Sequence, residues 1–173
     1  MSIPQLFMRH PDIASAERLA LPEGIMLCTH TEGNEAEWEE LIERAFGTYY
    51  SFDKVIRNGG DYSPERVLYL RYNGKAVATV TAVEKDDFKG EGWFRMVAVD
   101  PDIRGRGLGK LITLEALKLL AERGYKTAVL STDDERLAAI NLYYSIGFRP
   151  LITHDGHEER WEKLMPHIKH KNK

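Results

Sequence analysis

Two hydrophobic periods alternate along the chain, and they predict its elements. Trp38, Leu41, Ile42 and Ala45 recur at helical spacing and predict a helix over 34–46, with Asn34 placed to cap it. From Gly107 to Arg123, residues Leu108, Leu111, Ile112, Leu114, Ala116, Leu117, Leu119 and Leu120 lay a wide apolar face along a long helix that Gly124 is placed to end. Residues 136–147 predict a further helix with a glycine C-cap, and 51–58 a short one ended by Gly59-Gly60. Strand-like runs occupy 25–30, 92–99 (stopped by Asp100-Pro101) and 126–132. Residues 66–85 read as two strands around Asn73-Gly74, a strong hairpin signal. Residues 148–154 read as extended, while 157–165 fit helix or strand.

Pro4, Pro11 and Pro22 mark residues 1–24 as an N-terminal arm packed on the domain, with a helical turn expected at 11–20. Residues 25–173 read as a single domain. A hairpin followed by strand–helix–strand–helix–strand implies an α/β fold, a mixed sheet with helices on its faces.

Composition narrows the function classes. A chain of 173 residues, 43% apolar and 29% charged, suits one globular domain with a real core. The net charge of −3, with both signs interspersed, lacks the basic stripe of a nucleic-acid binder, so no nucleic-acid partner is expected. Cys28 is the only cysteine, which rules out an internal disulfide and suits a small buried hydrophobe. The opening apolar stretch is cut by Pro4 and Gln5 and followed by Arg9, His10 and Asp12, unlike a signal peptide. No apolar run approaches the ~18 residues that span a bilayer. The expectation is a cytoplasmic protein without a membrane partner.

The candidate chemistry lies between the 92–99 strand and the long helix, in "RGRGLGK" (104–110). A P-loop is excluded, because Arg104 stands at its first glycine and Leu111 at its hydroxyl. A dinucleotide fingerprint is excluded too, since its third glycine would fall on Lys110. What remains is a turn whose glycines admit a close ligand and whose helix start offers unpaired N–H donors. Arg104, Arg106 and Lys110 add positive charge, which suits a pyrophosphate. A tight turn with solvated basic residues is the plainer alternative.

Arg104, Gly107 and Gly109 match the arginine-x-x-glycine-x-glycine signature of the GNAT superfamily of N-acetyltransferases, and "AAINLYYSIGFRP" (138–150) resembles the family's alanine-x-x-leucine-tyrosine and glycine-phenylalanine segment. The two matches span 92–150 in the family's order. "LPEG", "TDD" followed by Arg136, and "RW" near the end are similar to a mycothiol-synthase-like group within it. The resemblance implies a largely antiparallel mixed sheet splayed at its central strands, and acetyl-CoA as co-substrate with no metal. Val97, Ala98 and Val99 would then offer backbone groups to the pantetheine arm, and Arg104, Gly105, Arg106, Gly107, Leu108, Gly109 and Lys110 would hold the pyrophosphate. Where many members have a pantetheine-binding asparagine this chain has Arg136. Asn141 on the following helix is a candidate substitute, and Arg136 itself a candidate for a coenzyme phosphate or an acceptor carboxylate.

The resemblance also implies the chemistry. The family's tyrosine lies four residues before its glycine-phenylalanine pair, which selects Tyr143 as donor to the departing sulfur and leaves Tyr144 at a position often charged and solvated. The family's frequent basic glutamate falls on Trp93. Glu91, two residues earlier, is the candidate base, with an ordinary strand-end carboxylate as the alternative and ordered water as a substitute. Tyr49, Tyr50 and Phe52 fall where the family shapes its acceptor pocket. His154 and His157 with Asp155 and Glu158 read as turn residues rather than a metal site. The expected activity is acetyl transfer from acetyl-CoA to a small-molecule or peptide amine, in a monomer or homodimer. A catalytically silent acyl-CoA-binding sensor is the alternative, and an ATP-binding regulator a weaker one.

Overall fold

The computed structural model describes residues 3–169; the outermost ends of the two expected regions, residues 1, 2 and 170–173, lie outside them. Among the described residues, seven strands form one sheet in the order β2-β3-β4-β5-β6-β1-β7. These are β1 (Leu6–His10), β2 (Ile25–Thr29), β3 (Val67–Tyr72), β4 (Lys75–Glu84), β5 (Gly92–Val99), β6 (Ala128–Thr132) and β7 (Arg149–Leu151). Every pairing is antiparallel except β5 with β6. Four helices accompany them: α1 (Glu35–Phe46), α2 (Leu108–Glu122), α3 (Leu137–Ser145) and α4 (His157–Leu164). The mixed, largely antiparallel α/β sheet is as expected.

Each face of the sheet buries its own core. On one side Trp38, Leu41 and Ile42 of α1, with Phe52 and Ile56, cover Val67, Tyr69, Ala76 and Ala98. On the other, α2 and α3 pack Leu111, Leu117, Leu120, Ile140 and Tyr143 over Leu68, Val80, Ala82, Phe94 and Leu130. Each large aliphatic side chain so buried contributes roughly 1.5–3 kcal/mol. A Cβ on Gly92 would lie 2.5 Å from Leu120 Cδ1, so a glycine there lets α2 cross the start of β5 closely. Asn73 (φ 49°) and Gly74 (φ 78°) turn β3 into β4 with two left-handed residues, as a tight hairpin of this hand requires.

Several elements depart from the expectation. Residues 6–10, within the region read as an arm, form a strand between β6 and β7, with Leu6, Met8 and His10 turned inward. Only a short 3₁₀ turn at Ile13–Ser15 follows. The expected helix at 51–58 is a single wide turn over Asp53–Arg57. Asn34 makes no side-chain cap; Glu35 instead accepts from the Gly33 N–H at 3.1 Å. The ambiguous 157–165 segment is helical, with Trp161 buried.

Candidate active site

The site is an interruption in the sheet. β5 and β6 pair only from Gly92–Ala128 to Phe94–Leu130, then diverge. Across the other edge of β5, Thr81 faces Arg95 while Thr79 faces Ala98, so β5 carries one residue more than β4 in this interval. That bulge is centred on Met96, a non-glycine residue with φ 54°. Beyond Phe94 the backbone groups of β5 that point toward β6 have no strand to meet, which leaves an edge that an extended ligand can complete. This is the splay expected beside Val97, Ala98 and Val99.

The bulge also reassigns the faces of β5. Strict alternation would place Val97 and Val99 beside Trp93 and Arg95. Instead Val97 and Val99 pack with the α2-side core, Met96 and Ala98 with the α1-side core, and Arg95 and Met96 both face the α1 side.

Beyond the split, β5 leads through a turn at Pro101–Ile103 into the glycine loop. Gly105 (φ 81°) and Gly107 (φ 75°) adopt left-handed conformations, and Gly107 is the N-cap of α2. Gly109 serves closeness: its Cβ would lie 3.1 Å from Leu142 Cδ1 and 3.5 Å from Val99 Cγ2. The first helical bond runs from the Leu111 N–H to the Gly107 carbonyl, and among the described residues no protein group accepts from the backbone N–H groups of residues 104–110. Seven successive donors at the positive end of a helix suit a phosphate group. Leu108 is buried beneath them. Of the basic side chains, Arg104 donates to the Ala45 carbonyl at 2.9 Å, Lys110 pairs with Glu17 at 2.6 Å, and Arg106 is exposed.

Tyr143 projects from α3 to the split, where it lines a cleft of about 360 Å³. The cleft is walled by Trp93–Val97 of β5, by Asp133 and Arg136 after β6, and by Phe46 and Tyr50 after α1. Burial pushes the Tyr143 phenol up to about 12, opposed by the charge of Arg136. No protein group among the described residues hydrogen-bonds its hydroxyl. Phe94, Phe148 and Tyr143 form a cluster of tilted and edge-on rings behind the vertex, with centroids 5.8 and 5.9 Å apart. Tyr144 was expected at a solvated position; it is 3% exposed, donates to Met165 Sδ and lies under Arg149.

Two candidates are not brought to the cleft. Glu91 accepts from Arg9 at 2.6 Å and from Thr127 at 2.8 Å, tying β1 and β6 to the start of β5 on the far side of Trp93. Asn141 spends its amide on the Leu137 carbonyl at 2.9 Å and on the backbone of His167 and Lys169, fastening the segment after α4. Arg136 is in place, stacked 4.9 Å from the Phe46 ring and 3.2 Å from Asp133. Tyr50 lines the cleft, whereas Phe52 is core and Tyr49 bonds Glu39 on the surface. His154 and His157 pack as rings against Phe7. His30, Glu32 and Glu35 lie close enough to share a cation, but Arg57 already sits against both carboxylates.

Sequence reasoning missed Asp133 and the environment of Arg95. Asp133 follows β6 by one residue and stands across the split from about the level of Val97, a placement that only the strand register reveals.

A broken parallel pair, a loop of free amides and a tyrosine over the gap together make a place suited to an extended, phosphate-bearing ligand. The model of the acetyltransferase (GNAT) family matches residues 21–148, and the chain belongs to that family. It is 32% identical to a mycothiol acetyltransferase of Nocardia farcinica over 76% of this chain and 48% of that protein. With one from Thermobispora bispora it shares 31% identity over 82% of this chain and 52% of the relative. The chain thus spans about half the length of these curated relatives. Among solved structures, a GCN5-related N-acetyltransferase from Sphaerobacter thermophilus superimposes with a TM-score of 0.69, at 26% identity, over 86% of this chain and 50% of that one. The ribosomal-protein-S18-alanine N-acetyltransferase of Escherichia coli gives 0.63 at 25% identity, over 74% and 79%. No helix among the described residues is long and apolar enough to cross a membrane.

Proposed function

We propose that the chain binds acetyl-CoA in the split and transfers its acetyl group directly to an amine held in the adjoining cleft. The observation that carries this reading is the convergence of three features: the unpaired edge of β5 beyond Phe94, the free amides of 104–110, and the unbonded Tyr143 hydroxyl. The edge at Val97–Val99 suits an amide-containing arm added as a short strand, and the loop suits a pyrophosphate. The bound coenzyme supplies an activated thioester carbon.

The transfer forms a C–N bond and breaks a C–S bond, so the amine must shed a proton and the sulfur must bear charge. An amine of pKa ~10.4 is neutral in about one molecule in ~2,500 at pH 7. Asp133 is the cleft carboxylate level with Val97, its two oxygens oriented by Gln5 and Arg136, and it receives the proton through water in exchange for one of these contacts. Tyr143 donates a hydrogen bond to the departing sulfur. With its pKa pushed up to about 12, handing the whole proton to a thiolate of pKa ~8.5 would be uphill by about 5 kcal/mol. Its hydroxyl therefore stabilises developing charge rather than delivering a proton outright.

A thermal-shift comparison with a thiol-release assay tests this reading. Acetyl-CoA should raise the melting temperature where ATP and NAD do not, and an amine panel should release free coenzyme A. A shift with ATP as large as that with acetyl-CoA would remove the assignment.

A further inference from the structure

Arg95 stands out among the charged residues of the cleft. Arg136 has Asp133 at 3.2 Å and Lys85 has Asp87 at 3.3 Å. Of the two acids that line the cleft, Asp133 is taken by Arg136 and Gln5, and Glu84 accepts from Tyr125 at 3.0 Å. No carboxylate among the described residues lies within 4.0 Å of Arg95, although it is half-buried. Its one bond is from Nη1 to the Gly59 carbonyl at 2.7 Å. A guanidinium carries five donors, so most of the fork is left unused.

The surroundings are shaped around this side chain. A Cβ on Gly59 would lie 2.1 Å from Arg95 Nη1 and 2.2 Å from the Val55 carbonyl, so a glycine there both closes the preceding turn and leaves room for the guanidinium. Arg95 keeps its regular register opposite Thr81 and faces the cleft, while the bulge at Met96 turns Val97 to the opposite face. Arg95 precedes Val97 by two residues, roughly 6.6 Å of strand. A cation drawn partly from water without a counter-charge is uncompensated until an anion joins it. Burial alone lowers the pKa of Arg95, with no acid opposing it.

We propose that the cleft selects amines that bear a carboxylate, amino acids foremost, and that Arg95 holds this carboxylate while the amine faces the acyl group. The inference rests on the acetyl-transfer reading for the meaning of the amine, but the carboxylate site stands on the arginine and its cleft. An amino acid sets its two charged groups one carbon apart, which fits an anchor two residues from the reacting strand edge. Phe46, Tyr50 and Met96 line the same space and favour an apolar side chain. A carboxylate also matches the planar fork better than a point anion does.

The test is isothermal titration of the protein saturated with coenzyme A, using N-acetylalanine and N-acetylphenylalanine against their primary carboxamides. The wild type should bind the acids about 100-fold more tightly than the amides. Arg95→Met should reduce that preference to about threefold or less, and Arg95→Lys should retain part of it, since it keeps the charge but loses the fork. Circular dichroism and melting temperature report whether each variant is folded. Equal affinity of wild type for acids and amides, binding of neither, or a preference that survives Arg95→Met overturns the proposal. Selective binding of the acids with no thiol release from any amine would overturn the transfer reading and leave the carboxylate site intact. Equal thiol release from amino acids and their decarboxylated amines would overturn the carboxylate proposal alone.

Discussion

The sheet divides into two parts that treat the backbone differently. From β2 to β5 each strand lies beside its neighbour in sequence and is paired antiparallel along nearly its whole length. The group β6-β1-β7 is assembled from both ends of the chain, and it meets the first group through three residue pairs only. In the first part the peptide groups are consumed by the fold. At the boundary they are left over, and there the glycine loop, Tyr143 and the cleft converge. The contrast shows how a sheet leaves an unpaired edge without exposing an outer strand: it opens an inner seam and fills the vertex behind it with aromatic side chains.

The seam itself is the place to break this contrast most severely. Phe94 ends the β5–β6 pairing, is 2% exposed and backs onto Phe148. Phe94→Ala should cost about 3–5 kcal/mol in urea denaturation. A loss below about 1 kcal/mol would mean that the vertex does not hold the two parts together.

Next in size is the pair of adjacent tyrosines. Tyr143→Phe should lower kcat by about 100-fold or more while leaving coenzyme affinity nearly intact. Tyr144→Phe removes only a bond to a thioether and should change kcat by less than about threefold. The opposite order in a thiol-release assay would assign the sulfur to the wrong residue.

Glu91 sharpens the distinction between tie and catalyst. Since its carboxylate joins Arg9 and Thr127, Glu91→Gln should leave kcat within about twofold and cost about 1 kcal/mol or less in stability. A large fall in kcat without a change in melting temperature would restore it as the base.

The smallest effect concerns acid. His10, His30 and His157 all have pKa values lowered chiefly by burial, so each is neutral in the native state and more basic when unfolded. The unfolded chain therefore binds more protons below about pH 6.5. Stability should be full above that value and decline as pH falls through the lower native pKa values. Urea midpoints at pH 7.5 and 5.0 measure the decline, and His10→Gln should make it shallower.

Much of the fold was legible because its signals are local. The Asn73-Gly74 hairpin, the β5 strand and the apolar face of α2 each lie within a single run of residues. The glycine loop was legible as a ligand turn for the same reason. β1 was not, because Arg9 and His10 mask its alternation and its partners are far away in sequence. The bulge at Met96 was hidden too, since an extra residue leaves no compositional mark, and with it went the true facing of Val97 and Val99. Proximity along the strand points to Glu91, whereas the direction of its side chain is set by Arg9 across the sheet. The resemblance puts Tyr144 at a position often solvated, and no single helix reveals the segment after α4 that covers it here.

The threading of β1 between β6 and β7 has a consequence for synthesis and folding. Residues 6–10 leave the ribosome with both hydrogen-bonding edges bare, and their partners, residues 128–132 and 149–151, follow only after β2 to β5 have been made. Local elements from β2 to α2 find their neighbours early, but this strand must wait for β6 and β7 and then close the longest loops among the described residues. Its docking is thus a late, slow event, and an unpaired Leu6–His10 is the segment most in need of protection from aggregation in the meantime.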